Sequence, residues 1–324
     1  NGTIWGIPTV MQTTALTYTI WANNTGGSTS ATVTITINDA VPGPFEYEPE
    51  NSTWLNNSLI HIAPDFINHT NGNGSTWLVA DLTSGISGLG PGTYFEVVIG
   101  DTIYFDADDG TDGSELWAHN TSNHSTWQVA DINSGSGDSS PGSNLYIVVD
   151  GVLYFSADDG LKGSELWAHN PANQSTWRVE DINSNFAFGS TPSALGQNPS
   201  LVGDTFYFSA TDGNSGRELW AHDTSNHSTW RVTDLNTGSG NTNPGTLMQL
   251  VVGDSIYFNA DDGLSGIEMW AYDTSNVSTW RVTNIQTGQG NADPGKHMAV
   301  VVEHTIYFDA NDGVSSAELW AYTP

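Results

Sequence analysis

Two tryptophan series, holding ten of the thirteen tryptophans, recur at a nearly constant interval, and that interval constrains the fold more than any other feature of the chain. Trp117, Trp167, Trp220, Trp270 and Trp320 follow Glu-Leu or Glu-Met, at spacings of 50, 53, 50 and 50. Trp77, Trp127, Trp177, Trp230 and Trp280 follow Ser-Thr, at spacings of 50, 50, 53 and 50. A period of about fifty residues marks a supersecondary unit that cannot bury its apolar face alone and must stack on its neighbours.

Each unit carries four extended runs, seen in one copy as 144–149, 152–156, 165–169 and 175–180. The first two runs are joined by Asp150-Gly151, with counterparts Gly100-Asp101, Gly203-Asp204, Gly253-Asp254 and Glu303-His304, most of them two-residue hairpin signals. No segment shows a helical apolar period, so the chain is all-β. Four antiparallel strands per fifty residues describe a propeller blade. If the longest Gly-rich links join blades, the blades begin near Thr93, Ser143, Ala194, Thr246 and His297. The last blade then has only three strands, and Ser75-Thr-Trp-Leu-Val-Ala-Asp81 is an outer-strand sequence without partners. The expectation is a five-bladed β-propeller over 74–324, closed by the sharing of one blade between terminal segments. A six-bladed ring drawing on 45–73 is the alternative, and it leaves the final blade a strand short.

Ahead of the repeats, Leu16–Trp21 and Ala31–Ile37 alternate apolar and polar residues around the turn-forming Asn23–Gly27. The pattern Gly2-Thr-Ile-Trp-Gly-Ile-Pro-Thr9, then Trp-Ala-Asn-Asn24, then Ser-Ala-Thr-Val-Thr-Ile-Thr-Ile37 resembles the closing half of the Ig-like or cadherin-like modules of large surface proteins. This resemblance implies a partial β-sandwich over 1–40. Val41-Pro-Gly-Pro44 interrupts ladders and helices alike and opens a linker over 41–73. The repeat itself resembles the ELWxxDGT-type repeats of secreted prokaryotic proteins, matched at Glu218-Leu-Trp-Ala-His-Asp223 and Glu268-Met-Trp-Ala-Tyr-Asp273. It departs after the Asp, with Thr-Ser for Gly-Thr. That resemblance implies an extracellular β-propeller and is silent on chemistry.

Six Lys and Arg against 36 Asp and Glu give a net charge of −30, which repels phosphate backbones and anionic headgroups, so neither nucleic acid nor a membrane surface is an expected partner. Cysteine is absent, so stability rests on packing. No apolar run is long enough to cross a bilayer, and Asn1 reads as beginning inside a module of a longer, extracellular or cell-surface polypeptide.

The loop Asp106-x-Asp108-Asp109-Gly-x-x-Gly-x-Glu115 clusters carboxylates around glycines, as a Ca2+ site would. Its acids fall at the first, third, fourth and tenth positions, which is not EF-hand spacing, and the first becomes Ser156, Ser209 or Asn259 in other copies. The bland reading is a turn in which the recurring Asp caps its own backbone, Gly takes positive φ and Glu satisfies loop amides. If Ca2+ binds, the copies Asp106, Asp108, Asp109, Glu115 and Asp309, Asn311, Asp312, Glu318 are the candidates. His119, His169 and His222 share a position with Tyr272 and Tyr322, so they read as partly exposed aromatic fillers rather than metal ligands. The tryptophans read as packing between blades, with sugar stacking as the alternative.

Glu96 is the one acid at an inner-strand position, opposite Tyr146, Gln249 and Ala299 in other copies, and a lone carboxylate cannot serve as both acid and nucleophile of a glycosidase. No catalytic residue is assigned. One link is three residues longer and carries Phe186 and Phe188, a place to add ligand specificity or a tolerated insertion. The sequons at Asn73, Asn123, Asn173, Asn226 and Asn276 recur at one outer hairpin per unit, as glycan acceptors or as turn-forming Asn. Together these readings predict a non-catalytic extracellular binding or adhesion scaffold for a glycan or protein partner. A carbohydrate-active enzyme using the channel and a structural spacer are the alternatives.

Overall fold

The computed structural model describes residues 16–24, 27–35, 78–82, 90–184 and 199–324. The chain divides into two compact units, Asn1–Asn68 and His69–Pro324. In the first, β1 (Leu16–Asn24) and β2 (Gly27–Ile35) form an antiparallel hairpin in which Leu16 faces Ile35 and Asn24 faces Gly27. The remainder of the sandwich expected over 1–40, and the linker 41–73, lie outside the described residues.

The second unit is all-β. Its described strands form five antiparallel sheets in chain order. The first sheet holds β3 (Glu96–Ile99), β4 (Thr102–Asp108), β5 (Ser114–Asn120) and β6 (Ser125–Ala130). The second holds β7 (Tyr146–Val149), β8 (Val152–Asp158), β9 (Ser164–Asn170) and β10 (Ser175–Glu180). The third holds β11 (Ser200–Val202), β12 (Thr205–Thr211), β13 (Arg217–Asp223) and β14 (Ser228–Arg231). The fourth holds β15 (Gln249–Val252), β16 (Ser255–Asp261), β17 (Ile267–Asp273) and β18 (Ser278–Arg281). The fifth has three strands, β19 (Ala299–Val302), β20 (Thr305–Ala310) and β21 (Glu318–Tyr322).

Period-two alternation gives every sheet two unlike apolar faces. On the first sheet Tyr104 is paired with Ala118 and Asp106 with Leu116, so Tyr104, Leu116 and Ala118 share one face. Ile103, Phe105 and Ala107 occupy the other. Tyr104, Leu116 and Ala118 pack on Leu153, Phe155 and Ala157 of the second sheet. The same interlock joins Tyr154, Leu166 and Ala168 to Phe206, Phe208 and Ala210. It recurs as Tyr207, Leu219 and Ala221 on Ile256, Phe258 and Ala260, and as Tyr257, Met269 and Ala271 on Ile306, Phe308 and Ala310. Fully buried alanines lie on both faces of each interlock, among the larger side chains.

Terminal-strand closure, expected from Ser75–Asp81, is not formed among the described residues. Leu78 and Val79 are 55 % and 54 % exposed and belong to no strand, while β21 is bonded to β20 alone. On the fifth sheet Leu319 is consequently 66 % exposed and Tyr307 36 %, whereas Leu116, Leu166 and Leu219 are fully buried. The alternation of the sequence puts the right residues on this face, but nothing among the described residues covers it.

The hairpins between the first two strands of each sheet follow their turn residues. Asp150 and Gly151 both take positive φ, at 50° and 76°, while Gly100, Gly203 and Gly253 take 59° to 60° at the first turn position. Glu303 adopts the same conformation, at 57°, without glycine's freedom. Replacing it, Glu303→Gly, is expected to stabilise the protein by about 0.5–1 kcal/mol, the left-handed penalty less the entropy lost by glycine. Denaturant midpoints check this, and an unchanged or lowered midpoint would refute it.

Candidate functional site

The acids that recur along the sequence lie toward the ends of the two middle strands and in the turn between them, and most are aimed at backbone amides. Asp106 Oδ1 accepts from the Tyr94 and Phe95 amides at 2.8 and 3.0 Å, pinning the segment that leads into β3. Ser156 Oγ does the same for Asn144 and Leu145, Asn259 Oδ1 for Leu247 and Met248, and Asp309 Oδ1 for His297 and Met298. The exchange of Asp for Ser or Asn along the repeat is thereby explained, since the position requires an acceptor and not a charge. Asp309 Oδ2 adds a contact of 2.6 Å to His297 Nδ1, and its backbone and His297 partners hold its carboxyl below the usual range against the opposing effect of burial.

Asp108 Oδ1 and Asn311 Oδ1 accept from the Gly110 and Gly313 amides, two residues on. Asp109, Asp159, Asp212, Asp262 and Asp312 cap the next turn, Asp262 Oδ1 for example taking the Leu264 and Ser265 amides at 2.9 and 2.7 Å. The scarce cations gather here too, with Arg178 2.8 Å from Asp159 Oδ2.

The glutamate before Leu-Trp works at longer range. Glu115 accepts from the Ile132 and Asn133 amides and from Ser139 Oγ, tying the link after β6 to its own sheet. Glu268 likewise takes the Ile285 and Gln286 amides and Thr283 Oγ1. Glu218 differs: Oε2 accepts from Thr233 Oγ1 and the Leu235 amide, while Oε1 is buried without a partner. Burial pushes its carboxyl up to about 7, as it does that of Glu115. Glu318 has no outer-strand link to hold and is exposed.

The Ca2+ candidates are therefore not brought together as one shell. Asp106 pairs across the sheet with Leu116 and Ala107 with Glu115, so alternation places Asp106 and Glu115 on opposite faces. Among the described residues no three His, Asp or Glu side chains are arranged to hold a metal ion. Glu96 is exposed on β3. Phe186, Phe188 and Asn73 lie outside the described residues.

His119, His169 and His222 are buried, not partly exposed as the sequence suggested. His169 and His222 stack on the tyrosine of the preceding sheet, Tyr104 on His169 at 5.3 Å and Tyr154 on His222 at 5.4 Å, with Tyr272 and Tyr322 filling the same role against Tyr207 and Tyr257. Burial lowers His169 and His222 to about 4, keeping them neutral, and their Nδ1 atoms meet Thr176 and Thr229 Oγ1. The Glu-Leu-Trp tryptophans Trp167, Trp220, Trp270 and Trp320 are half-buried against the clusters between sheets.

A contact between repeats escaped the sequence reading. Asn133, Asn236 and Gln286, in the links between sheets, sit against the turn glycines Gly160, Gly263 and Gly313 of the sheet that follows. The signal was present as a polar amide recurring at one position before each Gly-rich link, but only the close approach gives it meaning.

No protein-family model matches the chain, and no curated protein does. Solved structures similar to it include a puromycin hydrolase at 14 % identity, covering 69 % of this chain and 33 % of that one, with a TM-score of 0.41. Another is a Mycobacterium tuberculosis puromycin-hydrolyzing peptidase at 11 % identity, with 68 % and 34 % covered and a TM-score of 0.40. A third comes from a study of two prolyl endopeptidases, at 9 % identity, 73 % and 41 % covered, TM-score 0.31. The chain thus spans about a third of the length of the first two. In place of the non-catalytic adhesion scaffold expected from the sequence, the three structures named here are puromycin-hydrolysing enzymes and a prolyl endopeptidase.

Two outcomes follow from the loop geometry. A Cβ on Gly263 would lie 2.7 Å from Asn236 Oδ1, whereas one on Gly253, at a similar positive φ, would meet nothing within 4 Å. Gly263→Ala is expected to cost about 1–3 kcal/mol more than Gly253→Ala, and equal losses would show that the inter-repeat contact is slack. Protonated Glu218 contributes stability fully below its unfolded value of 4.5, and that contribution is lost as pH rises through about 7. Glu218→Gln, isosteric with the acid, should match the wild type near pH 4.5 and exceed it near pH 8 by on the order of 2 kcal/mol. Unfolding midpoints at the two pH values check this, and a parallel pair of curves would contradict it.

Proposed function

We propose that the five sheets form a propeller-type accessory domain of a larger hydrolase, screening substrate for a reaction centre held outside the array. The observation that carries this reading is the commitment of the recurring acids: Glu115 and Glu268 each spend their carboxylates on three donors of the loops they fasten, and the turn aspartates are spent on amides. Side chains so occupied are scaffold rather than acid or base. Radial arrangement is supported by the stacking of each sheet on the next and by the approach of β15 to both β11 and β19, as inner strands of neighbouring blades would approach. In this reading the repeats are of the ELWxxDGT type, and the sequon series is that of an exported chain.

The ring closes in this proposal when Ser75–Ala80 completes the fifth sheet and its exposed Tyr307 meets His119, as Tyr104 meets His169. The pairing of Thr126 with His119 in the first sheet sets the register, placing Thr76 beside Tyr322. Because the chain has no cysteine, the double variant Thr76→Cys, Tyr322→Cys can form one disulfide only. Spontaneous oxidation to an intramolecular bond, with a raised melting temperature, is the expected result. A pair that stays reduced, or links only between molecules, argues against closure by this strand.

Peptide hydrolysis is the activity to assay first, since the solved structures named above act on puromycin or peptides. Puromycin and a set of fluorogenic peptides should be left intact by the 324-residue chain alone and cleaved by a longer polypeptide that contains it. Turnover by the chain alone would move the chemistry into the array. Absence of turnover in the longer polypeptide would remove the hydrolase reading.

A further inference from the structure

The hairpins β5–β6, β9–β10, β13–β14 and β17–β18 each turn on an Asn-x-Ser triplet whose middle residue takes positive φ, His124 at 58°, Gln174 at 58°, His227 at 61° and Val277 at 58°. This conformation folds the serine back onto the asparagine. Asn123 Oδ1 accepts from the Ser125 amide at 3.0 Å and its hydroxyl at 2.6 Å, and Asn173 Oδ1 accepts from Ser175 at 3.1 and 2.6 Å. Asn226 Oδ1 takes the Ser228 amide at 2.9 Å, and Asn276 Oδ1 takes the Ser278 hydroxyl. All four asparagines are exposed. The shared geometry holds the amide oxygen with a hydroxyl or an amide and leaves the amide nitrogen to be decided by its other neighbours.

Those neighbours divide the four sites into two pairs. Asn226 Nδ2 donates to Asp223 Oδ2 at 2.8 Å, and Asn276 Nδ2 donates to Asp273 Oδ2 at 2.8 Å. In the first two sheets the aspartate is replaced by Asn120 and Asn170, whose Oδ1 atoms instead accept from the Ser122 and Asn123 amides and from the Ala172 amide. Among the described residues the Nδ2 atoms of Asn123 and Asn173 have no hydrogen-bond acceptor. The chemistry of an Asn-x-Ser acceptor lies at that nitrogen.

We propose that Asn123 and Asn173 are N-glycan acceptors in the folded protein, and that Asp223 and Asp273 suppress transfer to Asn226 and Asn276 by occupying their nucleophilic nitrogens. In the transfer, Nδ2 attacks the anomeric carbon of a lipid-pyrophosphate-linked oligosaccharide, supplied with its transferase by the exporting cell. The new bond is C–N, the sugar–oxygen bond breaks, the lipid pyrophosphate departs with the electron pair, and the Nδ2 proton passes to the transferase. An aspartate hydrogen bond that must break first slows this by on the order of tenfold. The inference is independent of the hydrolase reading, because it concerns the outer hairpins and not the loops or inner strands.

The test uses the whole chain purified unglycosylated and folded, incubated with an oligosaccharyltransferase and a lipid-linked oligosaccharide, with occupancy at each site followed by peptide mass spectrometry. Asn123 and Asn173 should fill first, with Asn226 and Asn276 about tenfold slower. Asp223→Ala should bring Asn226 to the rate of Asn123 while leaving Asn276 slow, and the chain unfolded in urea should show no such order. Equal rates at all four sites in the folded chain, or faster transfer to Asn226 and Asn276, would overturn the proposal. So would failure of Asn123 and Asn173 to react while a control Asn-x-Ser peptide is modified.

Discussion

Everything in the repeat unit depends on one interlocking contact, the tyrosine-leucine-alanine face of each sheet seated on the phenylalanine-alanine face of the next. Neither face is a core by itself, because a single four-stranded sheet leaves both sides in water. Each buried Tyr, Leu or Phe contributes about 1.5–3 kcal/mol, but only when the neighbouring sheet is in place. The stability of one repeat is therefore a property of the pair, and the array's last sheet shows the consequence as an exposed Leu319 and Tyr307.

The carboxylates serve that contact. Sheets can interlock only if the links between them return the chain at the right height, and the acids set that height by taking up loop amides. Asp106 and its Ser and Asn counterparts fix the approach to each inner strand, the turn aspartates shape the bend between the two middle strands, and the buried glutamates fasten the link that leaves the outer strand. A net charge of −30 is thus partly structural: many of the acids that make it are bonded to the backbone at the ends of the sheets. Burial pushes the carboxyls of Glu115 and Glu218 alike up to about 7, and Asp106 Oδ2 and Glu218 Oε1 are buried without a partner, so that use of charged groups is not fully compensated.

The strands, their hairpins and the all-β class were legible in the sequence because they are local. Alternation in Thr102–Asp108 and Gly or Asp-Gly at the turns needs no knowledge of the partner sheet. Trp167, Trp220, Trp270 and Trp320 were legible as packing because their placement repeats with the unit, whereas in the Ser-Thr-Trp series Trp127 and Trp230 pack and Trp177 and Trp280 stay exposed. The acidic loop was harder to interpret. Asp106, Asp108, Asp109 and Glu115 look like a cation site when counted along the chain, and they cease to look like one when the pleat separates Asp106 from Glu115. Likewise, the exchange of His169 and His222 with Tyr272 argued against an obligate metal ligand, but did not reveal that the position is buried against the previous sheet's tyrosine.

By itself the sequence determined the period, the four-strand unit, the two-faced strands and the turn residues, because all of these arise from interactions within about fifty residues. Only the tertiary structure decided which face meets which, that Asn133 and Asn236 press on the turn glycines of the following sheet, and that among the described residues β21 is bonded to β20 alone. The reason is distance along the chain. A contact between units depends on where two separately folded sheets come to rest, and no pattern inside either sheet records it.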